Sequence, residues 1–198
     1  MKVLAIADVE ERCLWDFYSE KRFGDVDLIL SAGDLDPDYL EFLVTVTNKP
    51  LLYVRGNHDD GYARRAPGGC LCVEDEVYVY RGLRVAGLGG SMRYRDGANM
   101  YSEREMARRA QRLQAKIRLA GGVDVLLGRW RPGYMVHGHV HKGYDPSFKR
   151  ERQMPCGTTV VNACGYTVLD IEGEGGWNRG WRAAWLNSQV VRHDLKLH

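Results

Sequence analysis

The sequence predicts an α/β protein in which strands and helices alternate along the chain. Short apolar runs typical of buried strands are followed either by helical spacing or by polar loops. This order implies parallel strands joined by right-handed crossovers. Two further β-type runs, at residues 77–80 and 83–88, indicate a second sheet. With 198 residues, of which 44% are hydrophobic, the chain is long enough for one domain with a full core and too short for two ordinary ones.

Strands are predicted where apolar residues run together. In chain order they are residues 3–7, 28–31, 51–54, 77–80, 83–88, 123–127 and 134–137. In sheets of parallel strands, ligands collect at the carboxyl ends of the strands. Functional residues are therefore expected where these strands end.

Helices are predicted between the strands. The first spans residues 13–20, and the second spans residues 36–47 with Pro37 in the first turn, where proline is tolerated. The longest begins with Ser102 and Glu105 at the spacing of a capping box and ends at Gly121-Gly122. Its apolar stripe consists of Met106, Ala110, Leu113 and Ile117.

The opposite face of this longest helix is basic. It carries Arg104, Arg108, Arg109, Arg112, Lys116 and Arg118. A basic face can bind nucleic acid, but the formal net charge of the whole chain is only +2. A solvated amphipathic helix explains the pattern, so a nucleic-acid partner is not indicated.

Polar motifs stand at the ends of four predicted strands. They are Asp8-Val9-Glu10, Gly33-Asp34, Gly56-Asn57-His58-Asp59 and His137-Gly138-His139-Val140-His141. Carboxylate, amide and imidazole groups without thiolates suit Mn, Fe, Zn or Mg. Two such ions about 3.5 to 4 Å apart can clamp the attacking and the leaving oxygen of a phosphoryl displacement. The motifs together therefore predict a dinuclear metal site.

In this order the four motifs resemble the signature of the calcineurin-like metallophosphoesterases, over residues 1–172. The resemblance implies a four-layer αββα sandwich, with two mixed sheets flanked by helices. It also implies a metal-dependent phosphoesterase that hydrolyses a small phosphomonoester or phosphodiester by attack of a metal-bound hydroxide. The alternative is a degenerate member of the family, a non-catalytic binding module or scaffold that keeps the fold with one ion or none.

The resemblance also implies the ligands of two divalent metal ions. Asp34 bridges the ions, Asp8 and His141 hold the first, and Asn57 and His139 hold the second. Where the usual family pattern has a histidine, this chain has Glu10. As a ligand, Glu10 adds a third carboxylate and favours harder ions, manganese above all. Alternatively, Glu10 is a surface residue of the loop and not a ligand.

Further site residues follow from the same resemblance. His58 corresponds to the catalytic histidine near the leaving oxygen, and Asp59 is expected to orient it. His137 does not occupy a ligand position of the family. In the loop of residues 89–94, Arg93 is a candidate to bind the substrate phosphate and Tyr94 to stack on an organic group. The alternative for this loop is a glycine turn with a solvated arginine.

The largest departure from the family lies at residues 128–133. The family places Thr-His-x-Pro and a crossover helix there, and parallel strands need a connection of about a dozen residues or more. One explanation is that a segment of about 20 to 30 residues is absent near Gly128, which leaves the second metal site open. The other is that Arg129 replaces the histidine and binds phosphate directly beside a single ion. A tight hairpin would send His139 and His141 to the opposite end of the sheet.

The remaining features set expectations about environment. No run approaches the roughly 20 apolar residues of a membrane span, and no signal peptide pattern is present at the start. A cytoplasmic protein without a membrane partner is therefore expected. Its odd, scattered cysteines favour reduced thiols, and ordinary packing explains Cys70 and Cys72 better than a metal site. Residues 173–198 form a Gly/Trp-rich extension, either a short helix with a tryptophan face or an unstructured tail.

Overall fold

The computed structural model of the protein describes residues 1–127, 134–138, 149–154 and 159–171. The strands are β1 Lys2–Ala7, β2 Leu28–Ser31, β3 Leu51–Tyr53, β4 Leu71–Cys72, β5 Val77–Tyr80, β6 Leu83–Gly87, β7 Ser91–Met92, β8 Met100–Tyr101, β9 Val125–Leu127, β10 Tyr134–His137, β11 Glu151–Gln153, β12 Thr159–Asn162 and β13 Gly165–Asp170. The helices are α1 Glu20–Phe23, α2 Pro37–Thr47 and α3 Glu103–Leu119, with a 3-10 helix at Asp59–Ala63.

These strands form two mixed sheets and one small parallel pair, β7-β8. The first sheet has the order β13-β1-β2-β3-β4, in which β1 to β4 are parallel and β13 runs antiparallel at the edge. The second has the order β11-β12-β10-β9-β6-β5, with four parallel strands in the centre and an antiparallel strand at each edge. The predicted α/β class and the second sheet are confirmed.

The side chains of β1 show how the sheets are layered. Successive residues of a strand point to opposite faces, and all of β1 after Lys2 is buried on both faces. Val3 and Ala5 belong to an apolar cluster that also contains Val85 of the second sheet, so the two sheets pack face to face. Leu4 belongs to a different cluster on the outer face of the first sheet.

Helices cover both outer faces. Tyr39 and Leu43 of α2 pack in the outer cluster of the first sheet. Leu113 and Ile117 of α3 pack with Leu126 on the outer face of the second sheet. The fold is therefore a four-layer αββα sandwich of two mixed sheets flanked by helices, as predicted.

The helix signals of α2 are confirmed. The Asp36 side chain accepts a hydrogen bond from the Asp38 backbone N–H at 2.8 Å, and Pro37 stands in the first turn. At the other end, Asn48 adopts the left-handed conformation with φ of 50° and ends the helix. Because only Leu35 and Asp36 separate Asp34 from α2, the N-terminal cap of this helix lies next to the loop after β2.

The capping box of α3 is confirmed as well. The Glu105 backbone N–H donates to the Ser102 hydroxyl at 3.4 Å, and the Ser102 N–H donates to the Glu105 carboxylate at 2.7 Å. Ala110, Leu113 and Ile117 are buried, as the apolar stripe predicts.

Replacing Ser102 with alanine should lower the free energy of unfolding by about 1 kcal/mol, because a first-turn amide loses its acceptor. Urea denaturation measures the change. Gln111→Ala, an exposed change in the middle of the same helix, should stay within about 0.5 kcal/mol of the parent. Equal losses in the two variants would contradict a capping role.

Two helix predictions are wrong in part. Residues 12–17 form turns in place of the expected helix at 13–20, and only Glu20–Phe23 is helical. Trp15 there stacks on Tyr39 of α2, with ring centroids 5.3 Å apart. A segment this short has little helical stability of its own, so contacts with the rest of the protein decide its conformation.

Arg109 does not belong to the exposed basic face of α3. Its side chain is 6% exposed and pairs with Glu74 at 2.6 Å and with Asp75 at 3.0 Å. The guanidinium also donates to the Gly89 carbonyl at 2.9 Å. The helical pattern predicted that Arg109 is exposed to solvent. Its ion pairs with Glu74 and Asp75, which follow β4, instead hold it in the interior.

The strands on either side of the short connection are parallel. Tyr134 lies beside Val125 and Val136 beside Leu127, which excludes the hairpin alternative. Because β9 has only three residues, the chain must return about 7 Å along the strands and move about 4.8 Å sideways. Six residues can span about 20 Å, which is enough for this path. The argument for an absent segment, which assumed a longer strand at 123–127, is therefore weaker. Gly128 and Arg129 lie outside the described residues, and both explanations stay predictions.

The cysteines within the described residues, namely Cys13, Cys70, Cys72 and Cys164, form no disulfide bond. Cys70 packs against the outer cluster of the first sheet, and burial raises the pKa of its thiol to about 12. A thiol that resists ionisation is a poor metal ligand, which favours the packing interpretation. Among the helices of the described ranges, none has the length and hydropathy needed to cross a membrane. The expected extension at 173–198 falls outside those ranges.

Candidate metal centre

The loops after β1 and β10 meet at one edge of the sandwich. Both strands end on that edge, as the parallel arrangement of each sheet requires. A Cβ atom added to Gly138 would lie 2.4 Å from Asp8 Oδ2 and 2.7 Å from the Ala7 side chain. Only glycine allows the end of β10 to approach the Asp8 carboxylate this closely. This contact joins the two sheets at the predicted site.

The loops after β2 and β3 are in contact at the same edge. A Cβ atom added to Gly56 would lie 2.2 Å from Asp34 Oδ1. The His58 backbone N–H donates to that same oxygen at 2.6 Å. The first loop joins them through the Asp8 N–H, which donates to the Gly33 carbonyl at 3.2 Å. The loops that carry Asp8, Asp34 and Gly56-Asn57-His58 are therefore in contact with one another.

Asp8 and Asp34 share an unusual backbone conformation. Their φ angles are +60° and +59°, in the left-handed region that non-glycine residues seldom adopt. Asp8 directly follows β1, and Asp34 follows the last residue of β2 by three positions. Residues in such strained conformations cluster at functional sites, and here each of them places a carboxylate near the carboxyl end of a parallel strand.

Asp59 ties two of these loops together. It is 4% exposed, and its Oδ2 accepts hydrogen bonds from the Gly56 N–H at 2.7 Å and the Asp34 N–H at 2.8 Å. Burial raises the pKa of Asp59 to about 6, and the backbone amides oppose that rise. Its carboxylate holds the backbone around Asp34 and Gly56, and its role in orienting the His58 ring stays a prediction.

The neighbour of the His58 ring is an arginine. His58 is exposed, and its Nδ1 lies 3.4 Å from Arg95 Nη2. The Arg95 guanidinium also stacks over the Tyr94 ring at 5.8 Å from the centroid. The sequence reasoning missed Arg95, although the run Arg93-Tyr94-Arg95 offered a second arginine on the same loop.

Asn57 is oriented by the same loop. It is 2% exposed, and its side-chain Nδ2 donates to the Tyr94 hydroxyl at 3.0 Å. With the nitrogen used in this way, the amide oxygen remains as the group that can bind a cation. Tyr94 was expected to stack on a substrate, whereas in the structure it supports a predicted ligand.

Arg93 and Glu10 have contacts of their own. Arg93 Nη2 pairs with Glu105 at 3.3 Å, next to the start of α3. Glu10 Oε1 accepts a hydrogen bond from the Asp36 N–H at 2.9 Å, and Glu10 is exposed. One carboxylate oxygen of Glu10 therefore serves the N-terminus of α2, which favours the interpretation that it is not a ligand.

The rest of the predicted ligand set lies outside the described residues, namely His139, His141 and the substituting Arg129. His137 is described, and its ring Nδ1 is 2.8 Å from the Gly138 carbonyl. Over the described ranges, no three His, Cys, Asp or Glu side chains form a group that could hold a metal. The predicted ligands within these ranges are thus two aspartates and the Asn57 amide, and the predicted site also includes the histidines after Gly138.

Comparison with known proteins adds similarity of fold. Vps29 from Chaetomium thermophilum is 17% identical, with a TM-score of 0.46 over 87% of this chain and 82% of that chain. An archaeal phosphodiesterase is 15% identical, with a TM-score of 0.46 over 86% of this chain and 93% of that chain. No family model and no curated protein matches the sequence. At these identities and scores the comparisons carry no assignment of activity.

Proposed function

We propose that this protein is a metal-dependent phosphoesterase that hydrolyses a small phosphomonoester or phosphodiester. The proposal rests on one observation. The loops after β1, β2 and β3 contact one another at a single edge of the sandwich, and Gly138 contacts the first of them. Asp8 touches Gly138, and Asp34 touches Gly56 and the His58 amide. Carboxylates gathered at strand ends around a buried amide are suited to hold hard cations.

Two divalent ions, with manganese favoured, fit this donor set. Asp8, Asp34 and Asn57 would hold them together with His139 and His141. These histidines follow Gly138, which contacts Asp8, by one and three residues in the sequence. When bound, such ions activate water and stabilise the charge on the phosphoryl group. Cytoplasmic location remains part of this proposal.

The residues of the chain supply the other functions. The exposed His58 ring would hold or donate a proton at the leaving oxygen. The Asp59 carboxylate holds the backbones of Asp34 and Gly56 next to each other, because it accepts a hydrogen bond from each of their amides. Tyr94 keeps the Asn57 amide oxygen available by accepting from its nitrogen.

Manganese should raise the melting temperature, because an ion that binds only the folded protein stabilises it by mass action. At a hundredfold excess over Kd the gain is about 2.7 kcal/mol. Asp34→Asn should lose most of this shift, while Asp16→Asn, an exposed residue paired with Arg12, should keep it. Calorimetry with and without manganese measures the shift, and hydrolysis of p-nitrophenyl phosphate and bis-p-nitrophenyl phosphate measures activity.

The second candidate is a non-catalytic module with this fold, holding one ion or none. The hydrogen bond from the Asp36 amide to Glu10 favours it, since the position of a usual histidine ligand then serves the start of a helix. Absence of both a manganese shift and hydrolysis would support this candidate over the enzyme.

A further inference from the structure

The loop of residues 89–95 is fixed against the predicted catalytic loop. The Gly90 N–H donates to the Arg55 carbonyl at 2.7 Å, and the Arg93 N–H donates to the Tyr101 carbonyl at 3.0 Å. These bonds place Tyr94 on Asn57 and Arg95 on His58. Two successive residues of one loop thus contact two successive residues of the other.

Arg95 differs in its charge balance from three arginines close to this loop. Those three have carboxylate partners: Arg55 pairs with Glu74, Arg93 with Glu105, and Arg109 with Glu74 and Asp75. Within the part of the chain that the structure describes, Arg95 makes no salt bridge. Its contacts are the Tyr94 ring and the His58 ring, neither of which neutralises it.

The chemistry of the guanidinium indicates what Arg95 binds. It carries several N–H donors in a planar fork and no acceptor. The contact with His58 uses one donor, and the stacked Tyr94 ring limits the orientations of the plane. A guanidinium held in this way matches two oxygens of a phosphate.

We propose that Arg95 binds a second phosphate, carried by the leaving group of the substrate. The preferred substrate class is then a phosphoanhydride, such as a nucleoside diphosphate, and not a simple ester. This inference rests on the proposed function, in which His58 serves the leaving oxygen. Because Arg95 Nη2 lies 3.4 Å from the His58 ring, its donors are on the leaving-group side of the scissile bond.

The reaction for this class is a hydrolysis. A water oxygen forms a bond to the terminal phosphorus, and the bond from that phosphorus to the bridging oxygen breaks. The electron pair stays on the bridging oxygen, which departs with the second phosphate paired to Arg95. The proton from water passes to solvent, and the products are two phosphate groups on separate molecules.

The test compares two non-hydrolysable ligands by calorimetry in the presence of manganese. Methylenediphosphonate carries the second anionic group, and methylphosphonate lacks it. The parent protein should bind methylenediphosphonate more tightly, and Arg95→Ala should weaken that binding by about 10- to 100-fold while changing methylphosphonate by less than about threefold. Arg95→Lys should recover part of the affinity, because it keeps the charge without the fork.

Arg104→Ala, which removes an exposed arginine on α3, is the matched control and should bind both ligands as the parent does. An equal loss for both ligands in Arg95→Ala would overturn the inference, since Arg95 would then serve the scissile phosphate. Equal binding of both ligands by the parent would overturn it as well. Hydrolysis of ADP and of p-nitrophenyl phosphate separates the two proposals. If neither is cleaved while the diphosphonate preference depends on Arg95, the proposed enzyme activity fails and the phosphate site stands.

Discussion

Replacement of His58 by alanine is expected to lower kcat by about 10²- to 10⁴-fold and to leave the metal content unchanged. The side chain is exposed at the edge where the predicted ligands meet. The hydrogen bond from His58 to Asp34 Oδ1, at 2.6 Å, is donated by the backbone N–H. An alanine at this position keeps that donor. The substitution should therefore remove the proton donor without disturbing the carboxylate.

Two measurements on the purified variant check this expectation. Steady-state kinetics with p-nitrophenyl phosphate gives kcat, and elemental analysis gives the bound metal per chain. If metal is lost in parallel with activity, His58 is a ligand and not an acid-base group.

The largest expected loss of stability comes from Arg109. Arg109→Leu should lower the free energy of unfolding by about 3 kcal/mol, because removing one partner of a buried ion pair leaves the other charge buried. The Glu74 side chain is only 5% exposed, although Arg55 still pairs with it at 2.6 Å. Urea denaturation followed by circular dichroism measures the loss.

The neighbouring position offers a matched control. Arg108 is exposed on α3, and Arg108→Leu should change stability by no more than about 0.5 kcal/mol. A double variant, Arg109→Leu with Glu74→Gln, should recover part of the loss, since the unpaired carboxylate is removed as well. Similar effects of Arg108→Leu and Arg109→Leu would show that Arg109 contributes no more than an exposed residue.

Much of the fold could be predicted because its signals are local. The strands at 28–31 and 77–80 have the predicted bounds, Pro37 stands in the first turn of α2, and the cap of α3 uses the expected Ser102 and Glu105. Apolar runs report burial on both faces of a strand, and capping residues act on amides two or three positions away. The contact of Asp8 with Gly138 was also foreseeable, since parallel strands end at a common edge.

The sequence motifs predicted which residues belong to the site but not which side chains they contact. The loops that carry Asp8, Asp34 and Asn57 lie at one edge of the sandwich, and the roles of these residues and of His58, His139 and His141 remain predictions. The structure supplied the partners of three side chains. Asp59 binds amides of two loops, Glu10 binds the start of α2, and Arg93 binds Glu105.

The sequence by itself thus determined the seven predicted strands, the start of α2 and the capping box of α3. The strands β4, β7, β8 and β11 to β13 were not predicted. Only the tertiary structure decided that Arg109 is buried, that Arg95 stands beside His58, and that residues 12–17 form turns. Arg109 meets Glu74 across 35 positions of the chain and Arg95 meets His58 across 37. Helical or strand periodicity describes a residue only relative to its own element. The charge that a side chain meets across the core depends on how separate elements pack, which no local pattern contains.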